Sequence, residues 1–426
     1  MFDYRNYGYR FTGPVIYEYV SWILNEAVKR KFNKIYFLAR DGYILRNITK
    51  KICKKRSLNI ECKYLYCSRM SLRMPTYFFI GDEAYDLLLL FGYHMSAYTL
   101  LKRIELSDYE IDMVCQEVGI ENKEEIVSAN EYKIIVAKIR KSVYYKDLML
   151  KKSKYAYDAT IGYLKQEGLF DDEQVVIVDS GWSGSMQRSL RQLLGKAGYQ
   201  GKIYGMYFGM YNAPKEKKDG IYLTYYFSAF NNIKHKIFFE NKLFECILSA
   251  PHGMTRGYEM NKGKYVPMLK ENLNANMSDS IIRLQLEGIL DYVEEKEIDD
   301  IAFNKNKSLK LSYRLLKRMM SFPTAEEADA FGNFNFCDDI SDGYSLKVID
   351  INELNKLKNN MFVYRIVNRM LHRGKYKIDE PLWAYGILAY IKYPLKLWYR
   401  LNIYLYEYIK VKKFSCKEKR RVLSNE

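Results

Sequence analysis

Apolar positions recur at helical spacing after Thr12-Gly13-Pro14, at Ile16, Val20, Ile23, Leu24, Ala27 and Val28, and proline suits the first turn of such a helix. A short apolar run over 34–38 then predicts a strand that breaks at Ala39-Arg40-Asp41-Gly42, after which Tyr43-Ile44-Leu45 resumes the helical period. Three further runs read as strands: 62–66, ending at Cys67-Ser68-Arg69; 175–178, ending at Asp179-Ser180-Gly181-Trp182-Ser183-Gly184-Ser185; and 202–208. Strands alternating with helices predict an α/β fold built on a doubly wound, mainly parallel sheet, with ligands at the carboxyl ends of its strands.

Between the second and third strands, about 83–168 reads as a helical insertion, a cap or lid. Ser107-Asp108-Tyr109-Glu110 has the capping-box pattern, and Ile134, Val136, Ile139 and Val143 keep near-helical spacing. This insertion sits within an expected core of 1–220. A strand-like run at 221–227, a loop with Pro251-His252-Gly253 and helices near 276–296, 307–320 and 351–372 make a second, mainly helical region, 221–385. The tail, 386–426, holds ten Lys or Arg against three Glu. Its first half interleaves Tyr390, Tyr393, Leu397, Trp398, Leu401, Tyr404, Leu405 and Tyr408 with Lys392, Lys396 and Arg400. That basic, aromatic, amphipathic pattern fits an anionic membrane interface, and equally a helix packed on its own domain. No internal repeat or low-complexity segment appears.

Composition narrows the class. At 48% hydrophobic over 426 residues the chain can bury a full core, and no apolar run is long enough for a membrane span. Lys and Arg exceed Asp and Glu by 68 to 51, so the surface presents positive potential suited to phosphorylated substrates, anionic lipid or nucleic acid. No recognised nucleic-acid module accompanies the charge, so no nucleic acid is expected as a partner. Seven Cys, odd in number and without a CxxC, point away from a zinc cluster or disulfide framework and toward a reducing cytoplasm. The start, Met-Phe-Asp-Tyr-Arg-Asn-Tyr, lacks the pattern of a signal peptide.

The candidate chemistry gathers at the strand ends. Asp179 through Gln187 pass from a strand to a helix through a Gly- and Ser-rich turn, where unpaired helix amides, the hydroxyls of Ser180, Ser183 and Ser185, and Gly181 and Gly184 suit a phosphate. Asp179 is placed to hold ribose hydroxyls or a metal-bound water; the plainer role for Asp179 or Ser180 is a helix cap. Arg40 offers paired donors to phosphate or pyrophosphate, with Asp41-Gly42 beside it and Ser68, Arg69 and Arg73 from the next loop. Glu240, Glu245, His252 and Asp41 are candidates for a base on the acceptor side, with solvated, paired or turn-capping roles as the alternative.

Several segments carry a resemblance: Gly8-Tyr9, Gly13-Pro14, Phe37-Leu38-Ala39-Arg40-Asp41-Gly42, Tyr66-Cys67-Ser68-Arg69, and Val178-Asp179-Ser180-Gly181-Trp182-Ser183-Gly184-Ser185-Met186-Gln187. Pro251-His252-Gly253 and Phe322-Pro323-Thr324-Ala325-Glu326-Glu327-Ala328 belong with them. The last strand loop resembles the phosphoribosyl-pyrophosphate (PRPP) loop of type I phosphoribosyltransferases, and the Arg40 loop their pyrophosphate loop. The combination is more similar still to the PRPP-dependent ribofuranosyltransferases of bacterial capsule and O-antigen biosynthesis. The resemblance covers most of the chain, but only the first and third strand loops are specific.

That resemblance implies transfer of a 5-phosphoribofuranosyl group from PRPP to a lipid-linked saccharide at the inner membrane face, with release of pyrophosphate and Mg²⁺ as cofactor. It implies Arg40, Asp41, Gly42, Ser68, Arg69, Asp179 and residues 180–185 and 187 around PRPP, with Arg40, Asp41 and Asp179 in catalytic roles and Asp179 near Mg²⁺, directly or through water. Two departures stand out: Val178 replaces the first of two adjacent acids, and Met186 replaces a Thr. The haloacid-dehalogenase-like phosphatase often fused to these enzymes would show Asp-x-Asp-x-Thr, which this sequence lacks. The 5-phosphate would then need a separate phosphatase acting in trans. The competing readings are a phosphatase of that type using Asp41 or Asp179, and a non-enzymatic binder of anionic surfaces or nucleic acid.

Overall fold

The structure is a computed structural model that describes every residue except 1, 92–94, 215–219, 278–280, 298–302, 338–344, 351–356, 360, 373–379 and 425–426. At its centre lies an all-parallel five-stranded sheet of β1 (Lys34–Leu38), β2 (Glu61–Leu65), β3 (Gln174–Trp182), β4 (Lys202–Met210) and β5 (Ile221–Phe227). The strands run in the order β2-β1-β3-β4-β5, so the winding reverses between β1 and β3. The predicted α/β class with a parallel sheet stands.

Both faces of the sheet are buried, which explains why its strands read as continuous apolar runs. On one face, Ile35, Phe37, Val176 and Val178 pack into a core shared with α1 (Gly13–Arg30) and α2 (Gly42–Lys55). The alternating residues, Tyr36, Leu38, Val175 and Ile177, face the other core. After β2 come a one-turn helix, α3 (Arg69–Arg73), and the insertion, whose longer helices are α4 (Asp108–Val118), α5 (Ala129–Ile139) and α6 (Val143–Gln166). The predicted capping box is present: Ser107 Oγ accepts from the Glu110 amide at 3.2 Å, and Glu110 accepts from the Ser107 amide at 2.7 Å. The insertion has its own core around Tyr85, Leu100, Ile111 and Tyr145. The far end of α6 leaves it, giving Ile161, Tyr163 and Leu164 to the second sheet core beside α7 (Ser185–Lys196).

Beyond β5 lie α8 (Asn241–Ile247), a hairpin of β6 (Thr255–Asn261) and β7 (Lys264–Leu269), and the helices α9 (Arg283–Glu295), α10 (Lys305–Ser321), α11 (Phe362–His372) and α12 (Leu395–Leu423). The three helices predicted in 276–372 are present: the first and last are shorter than expected and the middle one longer at both ends, while 351–356 and 360 of the last lie outside the described residues. Residues of α8, α9 and α10 complete the first sheet core. The predicted tail helix packs by one stripe, burying Asn402, Ile403, Val411, Ser415 and Glu418.

Candidate active site at the carboxyl edge of the sheet

The reversal between β1 and β3 opens a crevice at their carboxyl ends, where open α/β sheets bind ligands. β1 delivers Arg40 and Asp41 there. Arg40 and Asp41 lie in a turn that leads into α2, and the Asp41 side chain makes no cap bond to that helix. Gly42 is demanded by close packing, because a Cβ would lie 2.7 Å from the Phe37 carbonyl carbon.

β3 runs four residues past its predicted end. Asp179 pairs with Tyr207, Gly181 with Gly209 and Trp182 with Met210, so Asp179, Ser180, Gly181 and Trp182 are strand residues rather than turn residues. Gly181 has φ +111°, and a Cβ there would meet the Gly209 carbonyl oxygen at 2.3 Å. Trp182 holds φ +74° without glycine's freedom, a conformation that costs roughly 1–2 kcal/mol. The turn itself is Ser183-Gly184. Gly184, at φ +66°, is the N-cap of α7 and makes no side-chain cap bond, so the first amides of α7 have no side-chain acceptor from that position.

Three carboxylates and two guanidiniums converge here. Burial raises Asp41 well above the ordinary carboxylate range, Glu245 and Asp179 raise it further, and Arg40 and Arg69 partly offset them. Burial and Glu245 push Asp179 up to about 7, against the pull of Arg69 and of the Ser180 and Gly181 amides that its carboxylate accepts from. Both residues reach solvent in part, but their carboxyl groups are ringed by protein atoms, and that ring sets their titration. The Cys67 and Cys246 thiols beside them are buried and held protonated. Tyr19, buried on α1, fixes the strand ends by a hydroxyl within 3.0 Å of the Asp179 carbonyl and 3.1 Å of the Met206 carbonyl.

The acceptor-side candidates separate. Glu245, on α8, joins the cluster and accepts from Trp182 Nε1. His252 lies beside Arg40 instead, with Nε2 2.8 Å from the Tyr64 hydroxyl and Nδ1 2.8 Å from the Gly253 carbonyl. A carbonyl only accepts, so Nδ1 carries the proton and Nε2 accepts from Tyr64; burial and Arg40 keep the ring neutral. Glu240 lies away from the cluster, in a cavity beyond Trp182.

Two members of the expected PRPP set have other work. Ser68 is buried, donates to the Thr255 carbonyl at 2.6 Å and caps α3. Gln187 is buried under the turn, accepting from the Tyr207 hydroxyl at 2.8 Å. Ser180 is buried within the strand, whereas Ser183 is exposed and Ser185 half-exposed at the mouth of α7. Sequence reasoning missed the Trp182–Glu245 link and the bracing by Tyr19; no local pattern marks either.

The chain matches no protein-family model and no curated protein sequence. Among the described residues no group of three His, Cys, Asp or Glu side chains is set to hold a metal ion unaided. Asp41 and Asp179 are nevertheless hard oxygen donors, both raised chiefly by burial, a donor pair that fits Mg²⁺ completed by water and substrate phosphate.

Proposed function

We propose that this chain is a PRPP-dependent glycosyltransferase that transfers a 5-phosphoribofuranosyl group to a saccharide acceptor of capsule or O-antigen biosynthesis and releases pyrophosphate. The observation that carries the reading is the meeting of Arg40, Asp41, Arg69, Asp179 and Glu245 with the Ser183-Gly184 turn at the reversal point of the sheet. A sugar with phosphates at both ends needs cations at one end, an anion-binding helix start at the other, and carboxylates for its hydroxyls between them.

In this reading Arg40 and Arg69 hold the pyrophosphate, and their fixed charge stabilises the leaving group as the C1–oxygen bond breaks. Asp179, kept rigid by two backbone amides, orients the ribose hydroxyls. Ser183, Ser185 and the first amides of α7 take the 5-phosphate. Bound Mg²⁺, held through Asp179 and Asp41, would supply further charge neutralisation at the pyrophosphate. Glu245, fixed by Trp182, is the carboxylate best placed to take the acceptor proton. A separate phosphatase removes the 5-phosphate afterwards.

The lipid-linked character of the acceptor draws support from an exposed apolar face. On α11, Val363, Ile366, Val367 and Met370 share one side at i, i+3, i+4 and i+7, and Val363 and Met370 are 48% and 76% exposed. On the neighbouring α12, Leu397 and Leu401 are 55% and 57% exposed, with Trp398 between them. The Val363 amide donates to buried Asn402 Oδ1 at 3.4 Å, so the two helices pack together. Lys392, Lys396 and Arg400 accompany them, the make-up of a helix pair lying in an anionic membrane interface on the cytoplasmic side. No described helix is long and apolar enough to cross a membrane.

The test is pyrophosphate release from PRPP in the presence of a membrane extract carrying lipid-linked oligosaccharides. Release that needs the extract and is lost in Arg40→Ala is expected. Absence of release with every extract, together with absence of PRPP binding, would refute the reading.

A further inference from the structure

Two cysteines that no sequence motif pairs are brought together by the fold. Cys53 sits in the last turn of α2 and Cys62 in β2, the edge strand of the sheet. Between them the chain doubles back, with the Leu58 amide donating to the Cys53 carbonyl at 2.9 Å. Cys62 stands beside Ile35 in the strand register and, like Ile35 and Cys53, belongs to the core that α2 shares with the sheet. The two thiols meet there, Cys62 donating a hydrogen bond to the Cys53 sulfur.

The pair is not sealed in. Both cysteines line an open cavity of about 730 Å³ along the β2 edge, and each is 6% exposed. Arg46, Lys50 and Lys63 stand against Glu61 and Glu167 in that cavity, which leaves it positive. Lys63 is engaged by the Glu167 carbonyl at 2.9 Å. Arg46 and Lys50 lie one turn apart on α2 and have no acidic partner among the described residues; Arg46 uses Nε to reach the Cys62 carbonyl at 3.0 Å. Both cations are near enough to the Cys62 sulfur to favour its thiolate, so the thiol pair borders the positive part of the cavity. Cys67 and Cys246, by contrast, lie outside this cavity and are simply held protonated by burial.

Electrostatics divides the work between the two sulfurs. The hydrogen bond from Cys62, aided by Arg56, lowers the Cys53 thiol below the ordinary range against the effect of burial, while Cys62, as the donor, is raised. A thiolate is the nucleophile in thiol–disulfide exchange, so Cys53 is the attacking sulfur and Cys62 the resolving one. A cysteine that only fills a core needs neither a partner thiol nor a positive cavity beside it.

We infer that Cys53 and Cys62 form a modification site at which a small anionic disulfide of the glutathione class, drawn in by Arg46 and Lys50, converts the dithiol into an internal disulfide that pins the end of α2 to β2. The Cys53 thiolate attacks one sulfur of the oxidant, breaking its S–S bond, forming a mixed disulfide and releasing one thiolate, which takes up a proton. Cys62 then gives up its proton to water, attacks the Cys53 sulfur and expels the second thiolate. The protein dithiol loses an electron pair, and the oxidant is reduced to two thiols. This site stands independently of the reaction assigned to the carboxyl edge of the sheet.

The experiment is incubation of the native full chain with glutathione disulfide, alkylation of the remaining thiols after unfolding, and mass spectrometry of the unreduced peptides. Wild type is expected to yield a linked Cys53–Cys62 peptide, whereas exposed Cys416 stops at a mixed disulfide. Cys62→Ala should halt at the mixed disulfide on Cys53. A double change of Arg46→Gln and Lys50→Gln, both outside the core, should slow linkage about tenfold with glutathione disulfide and leave it unchanged with neutral bis(2-hydroxyethyl) disulfide. Modification of Cys416 with Cys53 and Cys62 both recovered as alkylated thiols would overturn the site, as would linkage that forms only in denaturant. A double variant as fast as wild type with glutathione disulfide, or slowed equally with both oxidants, would overturn the role of the two cations.

Discussion

Replacing Asp179 by Asn keeps the shape of the side chain and removes a charge that the fold holds at a cost. Burial and Glu245 raise this carboxyl from an ordinary 3.8 to about 7. Because the folded-state value lies above the unfolded one, the folded protein binds more protons between these values, and wild-type stability falls as pH rises from about 4 to about 7. At roughly 1.4 kcal/mol per unit, about three units set an upper bound near 4 kcal/mol on the penalty carried above pH 7. Asn accepts the Ser180 and Gly181 amides less strongly and brings an NH₂ group that needs a partner, which returns part of the gain; about 1–2 kcal/mol is expected to remain. Asp179→Asn should melt a few degrees higher than wild type at pH 8, and the gap should largely close toward pH 4, near the unfolded-state value of 3.8 and well below the folded one. Thermal unfolding of both proteins across this range is the assay. A gap that does not change with pH, or a variant less stable at pH 8 than at pH 4 relative to wild type, would refute the electrostatic account of the cluster.

Other outcomes follow from the same geometry. Gly184→Ala places a side chain at φ +66° and its Cβ 2.6 Å from the Tyr222 ring, so denaturant unfolding should show a loss of about 1–2 kcal/mol with folding retained. Gly181→Ala drives its Cβ against backbone oxygen at 2.3 Å, and the protein should not be recovered in soluble form. Arg40→Lys keeps the charge but loses the fork, so calorimetry should find PRPP affinity reduced about tenfold. In flotation with vesicles of phosphatidylglycerol and phosphatidylethanolamine, a double change of Leu397→Glu and Leu401→Glu should cut membrane binding at least about tenfold and leave PRPP binding alone; equal flotation would remove the membrane role of that face.

The sheet was legible because its central strands, β1, β3 and β4, are largely buried on both faces and so appear as nearly continuous apolar runs. The end of β3 was not, since Asp179, Ser180 and Gly181 lack strand character of their own and owe their conformation to pairing with β4. Local chemistry located Arg40, Asp41, Arg69 and Asp179, because strand ends at a winding reversal share one edge. It could not tell Glu245 from Glu240: both flank the short stretch Asn241-Lys242-Leu243-Phe244, and only the packing of α8 sends one to Trp182 and the other to a separate cavity. Ser68 and Gln187 looked available as hydrogen-bonding groups, but their partners, Thr255 and Tyr207, come from distant segments. The β6–β7 hairpin left a signal that went unread, Lys262-Gly263, whose φ values of +48° and +79° form a tight hairpin turn.

The central claim is tested most directly by thermal unfolding of the full chain with PRPP, with and without Mg²⁺, for wild type and Asp179→Asn. Ligand at about a hundred times its dissociation constant adds about 2.7 kcal/mol to stability, enough to raise the wild-type midpoint by a few degrees. The account predicts that rise in wild type, larger with Mg²⁺, and its loss in Asp179→Asn. A wild-type midpoint unmoved by PRPP and Mg²⁺, or an equal rise in the variant, would contradict it.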